Sequence, residues 1–475
     1  MVVVSYALAR RDVAWALGWT ILCSLFFYAF WNIIYLPLLI GSMLFNYACG
    51  RWIAAGRKQG RKRIAFGVAV NLALLGYFKY TNFFVGVANS VTGSHWQVAE
   101  IALPLAISFF TFQQIAWLMD QYRGEAARCD FKEYICAVAF FPHLIAGPLV
   151  QYNEMIPQFQ QPGAFSLSWD KAATGLFLIG CGVFKKIVIA DSLSPYVAVC
   201  FDRLDVVTPI QAWTATLSCH MQIYFDFSGY SDIAIGSALL LGIRLPDNFR
   251  SPYKAASIRE FWQRWNITLG RFFTRYLYIP LGGSRISFTR SCVNIFLVMF
   301  LCGLWHGAGY GFILWGIAHG SAMVVNRVWA HHGLKMNRFL GVFITFTFVT
   351  LTVVLFRSRD MTATLKMFRG MVGLDGVSLP QGLQALMPGA WNIQYLGTAE
   401  LFGSAWPELR PVLYAFAASF VLVFLFKEAL VVWENVVKRS SPLAYGLSFS
   451  AAVLLLISFY KMVMIPYTEF IYFNF

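Results

Sequence analysis

Apolar stretches follow one another along most of this chain, at residues 13–30, 33–50, 64–88, 101–118, 172–200, 213–241, 293–305, 312–328, 339–356, 412–426 and 443–465. A helix that crosses a bilayer needs about 20 such residues, and lipid tolerates only structures that satisfy their own backbone hydrogen bonds. The expected fold is therefore all-α and polytopic. The composition agrees: 59% of the 475 residues are hydrophobic, 12% are charged, and the mean hydropathy is +0.61. No ordinary soluble domain carries that surface. At roughly 35–40 residues per span and loop, the length allows about 11–13 membrane-embedded helices in a single domain, residues 1–475. Pro142 and Gly147-Pro148 interrupt the apolar run from Tyr134, which predicts a segment that dips into the bilayer rather than crossing it.

One stretch, residues 245–283, is too polar for its surroundings. Arg250, Lys254, Arg259, Arg264, Arg271 and Arg275 are offset there only by Asp247 and Glu260, with Trp262, Trp265, Phe272, Phe273, Tyr276 and Tyr278 threaded among them. Arginines and rings interleaved at helical spacing suit the headgroup level of a membrane. Pro246, Pro252 and Pro280 predict short, tilted helices there instead of one span.

The net charge of +15 reads as cytoplasmic loops obeying the positive-inside bias, with an excess left for an anionic ligand or anionic lipid. The densest basic loop holds Arg51, Arg57, Lys58, Arg61, Lys62 and Arg63 and is expected in the cytoplasm; the polar turn at 89–100 then faces the other side. The late connection 375–411 is expected outside the cell if the basic turn 427–439 is cytoplasmic. Nucleic acid is excluded as a partner, because the cations are scattered between apolar spans and form no soluble basic domain. Nine cysteines show no CxxC or Cys/His spacing, so they read as small core residues and no metal site is expected.

Several blocks carry a resemblance. PDNFRSPY (246–253), EFWQRWNITLGRFF (260–273) and YLYIPLGG (276–283) closely resemble the signature of the membrane-bound O-acyltransferases. Within that family they are most similar to the bacterial branch that acetylates exopolysaccharides. SLFFYAFW (24–31), FFPHLIAGPLVQYNEMIPQF (140–159), YFDFSGYSDIAIG (224–236) and GLWHGAGYGFILWGIAHG (303–320) match in the same order, so the resemblance spans nearly the whole chain. Family members usually carry a further apolar helix ahead of the segment at Arg10-Arg11, where only MVVVSYALA stands here.

Acyl transfer from a thioester to a hydroxyl needs a base for the hydroxyl proton and a donor for the developing oxyanion, and histidine is the usual base near neutral pH. His143, His306 and His319 sit in apolar segments beside glycine or a Gly-Pro break. By itself such a histidine reads as a hydrogen-bonded core residue. The resemblance reverses that for His306, whose LWHGA block matches the family segment with the essential histidine. His319 is the second catalytic candidate. Thirteen residues of continuous helix would hold the two about 20 Å apart on different faces, unless Gly307, Gly309 and Gly311 break it. His319 otherwise orients a neighbour or lines the acceptor's route. Asp226 and Asp232, six residues apart, share no helix face, which argues against a paired-carboxylate site; each reads as a partner of the signature's arginines or as a catalytic acid. Arg264 and Trp265, with Trp262 and Asn266 beside them, are the candidate donor site, since guanidinium groups bind phosphate and rings stack on a base; interfacial anchoring is the competing reading.

The resemblance implies an O-acetyltransferase of the bacterial inner membrane. Acetyl-CoA or another thioester would be its donor, and no bound cofactor is implied. An extracytoplasmic SGNH-type acetyltransferase, or a polysaccharide acetylation or synthase complex, would be its partner. D-alanyl transfer to teichoic acid is the alternative within the family. A transporter or channel is the alternative outside it, but it predicts two related halves with matching broken helices, and none is visible. No Walker loop, GxSxG elbow or HExxH motif is present.

Overall fold

The computed structural model describes all residues except 57–59, 97–100, 162, 167, 382–392, 397–405, 438–440 and 465–475. Arg57 and Lys58 of the basic loop, the end of the polar turn after Asn89, most of the 375–411 connection and the end of the 427–439 turn lie outside the described residues.

The chain opens with α1 (Val2–Ala9), α2 (Val13–Trp31), α3 (Leu36–Ala55), α4 (Gly60–Thr92) and α5 (Ile107–Arg123). Short pieces follow: α6 (Phe131–Ala139), α7 (Phe141–Leu144) and α8 (Tyr152–Gln160). The four-residue α7 carries Pro142 in its first turn, buries Pro142, His143 and Leu144, and ends before the Gly147-Pro148 break without crossing, as the prolines dictate. Next come α9 (Trp169–Val183), α10 (Asp191–Ala198) and α11 (Pro209–Leu240). The 245–283 stretch folds as a 3-10 turn at Pro252–Lys254, α12 (Ile258–Trp262), α13 (Ile267–Phe273) and a π turn at Thr274–Tyr278, so no single span forms there. Then come α14 (Phe288–His306), α15 (Tyr310–His331), α16 (Arg338–Arg357), α17 (Met361–Met371), α18 (Trp406–Leu425), α19 (Ala429–Val437) and α20 (Ser441–Met464). The only described strands are β1 (Val377–Pro380) and β2 (Ile393–Leu396), paired in parallel.

Among the described residues seven helices are long and apolar enough to cross a membrane alone, and the bent pair Arg410–Leu425 and Ala429–Val436 makes an eighth. The remaining embedded helices rely on protein neighbours. α5 buries Ser108, Thr111, Gln113, Gln114 and Asp120, and α11 is buried along almost its whole length.

Small and polar residues hold the bundle together, as expected where lipid removes the hydrophobic driving force between helices. Asn46 of α3 and Asn71 of α4 exchange amide hydrogen bonds of 3.1 and 2.7 Å, and Gln114 of α5 accepts from Ser42 at 3.1 Å. α9 and α11 meet backbone to backbone: a Cβ on Gly175 would lie 2.7 Å from the Gly236 carbonyl, and one on Gly182 2.5 Å from that of Gly229. Where α9 continues into a π turn, Phe184–Ala190, Lys185 bonds Asp232 at 2.8 Å and Lys186 bonds Asp226 at 2.9 Å. The two intramembrane acids thus pair with lysines of the neighbouring helix. Of the signature's arginines, their expected partners, Arg250, Arg264, Arg271 and Arg275 reach other carboxylates.

Candidate active site

The histidines sit on the α14–α15 hairpin. Its helices touch along a glycine seam: a Cβ on Gly303 would fall 2.5 Å from the Phe312 carbonyl, and one on Gly316 3.0 Å from that of Met299. The helix stops at His306 because Gly307 and Gly309 are extended, with φ of −169° and −170°. A side chain at Gly307 would collide with the Phe312 ring, 2.1 Å from its nearest carbon, so the tight return needs glycine there. The break brings both imidazoles against one indole, Trp315, whose ring centroid lies 5.1 Å from His306 and 4.4 Å from His319. The separation implied by a continuous helix does not arise.

His306 is buried, with Trp315 and Phe356 meeting its ring edge-on at 5.1 and 5.2 Å. His319 is buried too, and its hydrogen bonds set its tautomer. Thr352 donates its hydroxyl proton to the Val349 carbonyl at 2.8 Å, so it accepts from Nε2 of His319 at 3.0 Å. Nδ1 in turn accepts the indole N–H of Trp262 at 3.3 Å. A neutral imidazole bonded on both sides has no free lone pair with which to take a proton.

A cavity of about 1150 Å³ ends near this place; His306 and His319 are not among its lining residues, but Trp262, which bonds His319, is. Its mouth is basic, lined by Arg123, Arg259, Arg271, Arg275, Arg327 and His331, with Glu125 as the only acid among the described lining residues. Its inner end is apolar, lined by Val298, Met299, Cys302, Met323 and Trp262. Along α14 it runs from Phe288 to Cys302, about 20 Å, and Cys302 is one turn before His306. Arg271 pairs with Glu154, and Arg275 with Asp120 at 3.1 Å and Glu125 at 2.8 Å. Arg259 and Arg327 have no carboxylate at ion-pair distance among the described residues. The mouth opens on the side of the basic loop, since Gly60 lies against Tyr122 and the next residue, Arg123, lines the mouth.

The sequence profile of the membrane-bound O-acyltransferase family matches residues 88–333. A peptidoglycan O-acetyltransferase of Helicobacter pylori is 45% identical over 392 residues, covering 76% of this chain and 74% of that protein. The chain belongs to the membrane-bound O-acyltransferase family. A probable alginate O-acetylase AlgI of Pseudomonas putida is 37% identical over 395 residues, covering 81% of this chain and 77% of that protein. A teichoic acid D-alanyltransferase of Bacillus subtilis is 25% identical over 274 residues, 54% of this chain and 69% of that protein. This is a multi-pass acyltransferase of the bacterial inner membrane, in the branch that O-acetylates polysaccharides.

Within this O-acyltransferase the structure separates the candidates. Trp262 lines the inner cavity and touches His319. Arg264 does not line the cavity: it bonds Glu260 at 2.6 Å and reaches the carbonyls of Arg250 and Ser251 at 3.4 and 3.5 Å. Trp265 is buried against Phe249, Tyr253 and Phe261, with centroids 5.1, 6.1 and 5.6 Å away. Asn266 is buried in the left-handed region, φ 43° and ψ 53°, where it turns the chain into α13; asparagine is among the few residues that tolerate this. His143 lies apart from the hairpin, with Gln113 3.1 Å from its Nδ1.

Sequence reasoning missed Arg123 and Arg327 at the mouth and Lys79 and Tyr80 behind His306. A lysine inside an otherwise apolar span was the available signal for Lys79. Arg123 and Arg327 lie in other helices, and no local pattern joins them to the signature.

Proposed function

We propose that the chain works as one membrane domain that carries acetyl from cytoplasmic acetyl-CoA to an extracytoplasmic acceptor, for O-acetylation of an exported polysaccharide. The observation that carries this reading is the polarity of the cavity: unpaired guanidinium groups at the mouth and a carboxylate-free apolar end beside two histidines. Phosphates of the donor bind Arg259 and Arg327, which have no internal acid to satisfy them. The pantetheine arm follows α14 inward and delivers the thioester to the Cys302–Trp262 end. His306 takes the proton of the attacking hydroxyl, the hydroxyl oxygen bonds to the acetyl carbonyl carbon, and the thiolate leaves. His319, occupied on both nitrogens, holds Trp262 in the wall instead of acting as the base. The mouth lies on the side of the positive loop, which supports a cytoplasmic donor. The acceptor side takes an SGNH-type acetyltransferase or a polysaccharide acetylation complex as partner.

D-alanyl transfer fits less well, because an alanyl ammonium would meet no carboxylate at the apolar end of the cavity. The test compares two donors, acetyl-CoA and S-acetylpantetheine, which lacks the phosphates. Arg259→Ala with Arg327→Ala should raise the KM for acetyl-CoA by about a hundredfold, two charge-assisted contacts at about tenfold each, and leave that for S-acetylpantetheine unchanged. Equal KM shifts for both donors, or none for acetyl-CoA, would refute a phosphate site at the mouth.

A further inference from the structure

A helix that stops inside a membrane leaves its last carbonyls without partners, and lipid offers none. α14 does this at His306. Gly307 is extended, so the chain does not make the left-handed glycine turn that usually satisfies these groups. The partners come from another helix. Two consecutive residues of α4 reach across: Lys79 Nζ donates to the carbonyls of Trp305 at 2.5 Å and His306 at 3.1 Å, and the Tyr80 hydroxyl donates to that of Leu304. The third direction of the ammonium meets Ser108 Oγ of α5 at 3.4 Å. Lys79 is buried, and no acid lies at ion-pair distance from it among the described residues. Its compensation comes from carbonyl oxygens at the negative end of the α14 dipole.

We propose that Lys79, with Tyr80, is a positioning residue: an inter-helix cap that ends α14 at His306 and fixes where that imidazole sits relative to the Cys302 end of the donor cavity. The proposal rests on the reading of His306 as the base. The ammonium makes no contact with the cavity lining, so its loss moves the base while leaving donor binding intact. A displacement of about 1 Å can cost a hundredfold in rate.

The experiment measures thiol release from acetyl-CoA by membrane vesicles carrying each variant with their own polysaccharide, alongside a melting curve of the purified protein. Lys79→Met should lower kcat about a hundredfold at unchanged KM for acetyl-CoA, and Lys79→Arg, which keeps the charge and donors, should recover much of it. Wild-type kcat in Lys79→Met, or a loss that appears in KM, would overturn the proposal. If Lys79→Met does not accumulate, Tyr80→Phe decides: a several-fold fall in kcat at constant KM supports the cap, and an unchanged kcat refutes it. His306→Gln in the same assay separates the two readings. An active His306→Gln removes the base on which the proposal stands, whereas an inactive one beside a fully active Lys79→Met removes the cap alone.

Discussion

Two regions of this bundle bury polar groups in the membrane, and they satisfy them in opposite ways. Between α9 and α11, and onto Glu428 just ahead of α19, every charge meets a countercharge: Lys185 with Asp232 at 2.8 Å and Glu428 at 3.4 Å, Lys186 with Asp191 at 2.8 Å and Asp226 at 2.9 Å. At the α14–α15 hairpin the polar groups are imidazoles, an indole, a threonine hydroxyl and one ammonium, and their partners are neutral. A closed ion network ties helices together and has little capacity left for a reaction. A neutral, hydrogen-bonded pocket at the end of a cavity retains an imidazole that can exchange a proton. Intramembrane charge is therefore a poor guide to the chemistry here, and the less charged region is the better candidate.

The contrast can be broken from either side. The largest effect is expected at His306: substitution by Gln should reduce acetyl transfer by about two to four orders of magnitude with the melting curve unchanged, measured as polymer-bound acetate in cells and as melting of the purified protein. Next comes Lys185→Met, which strands Asp232 and Glu428. It should cost about 3–5 kcal/mol of stability, read as a lower melting temperature, with normal kcat in the fraction that folds. His319→Asn removes the ring that holds Trp262 and should lower kcat about tenfold, which initial rates at saturating acetyl-CoA would show. A loss there as deep as that of His306 would make His319 the base. The smallest effect belongs to Arg264→Ala, whose partly exposed pair with Glu260 contributes about 0.5 kcal/mol. The melting point should fall slightly and the KM for acetyl-CoA should stay constant, whereas a raised KM would return Arg264 to the donor site.

Much of this fold was legible in the sequence, because a bilayer translates apolar run length directly into helices, and proline and glycine mark where they stop. The short helices of the 245–283 stretch, the dip at Pro142 and the stop at His306 all follow from local residues. The partners of buried charges do not. Arg275 finds Asp120 across 155 residues, and Lys79 finds the His306 carbonyl across 227. Nothing in either segment announces the other. The same blindness directed attention to Arg264 and Trp265: the density of cations and rings in one stretch is visible, but which of them face a cavity depends on helices contributed from elsewhere. Of the residues singled out there, Trp262 is the one that reaches the histidines.

One paired measurement tests whether the hairpin performs the chemistry while the paired-ion region holds the fold. His306→Gln and Lys185→Met are purified side by side, and each is assayed for melting temperature and for acetyl transfer per folded molecule. The expected result is crossed: His306→Gln melts like the parent and transfers almost no acetyl, and Lys185→Met melts lower and transfers normally below its transition. Near-normal transfer by His306→Gln, or full stability with lost transfer in Lys185→Met, would contradict it.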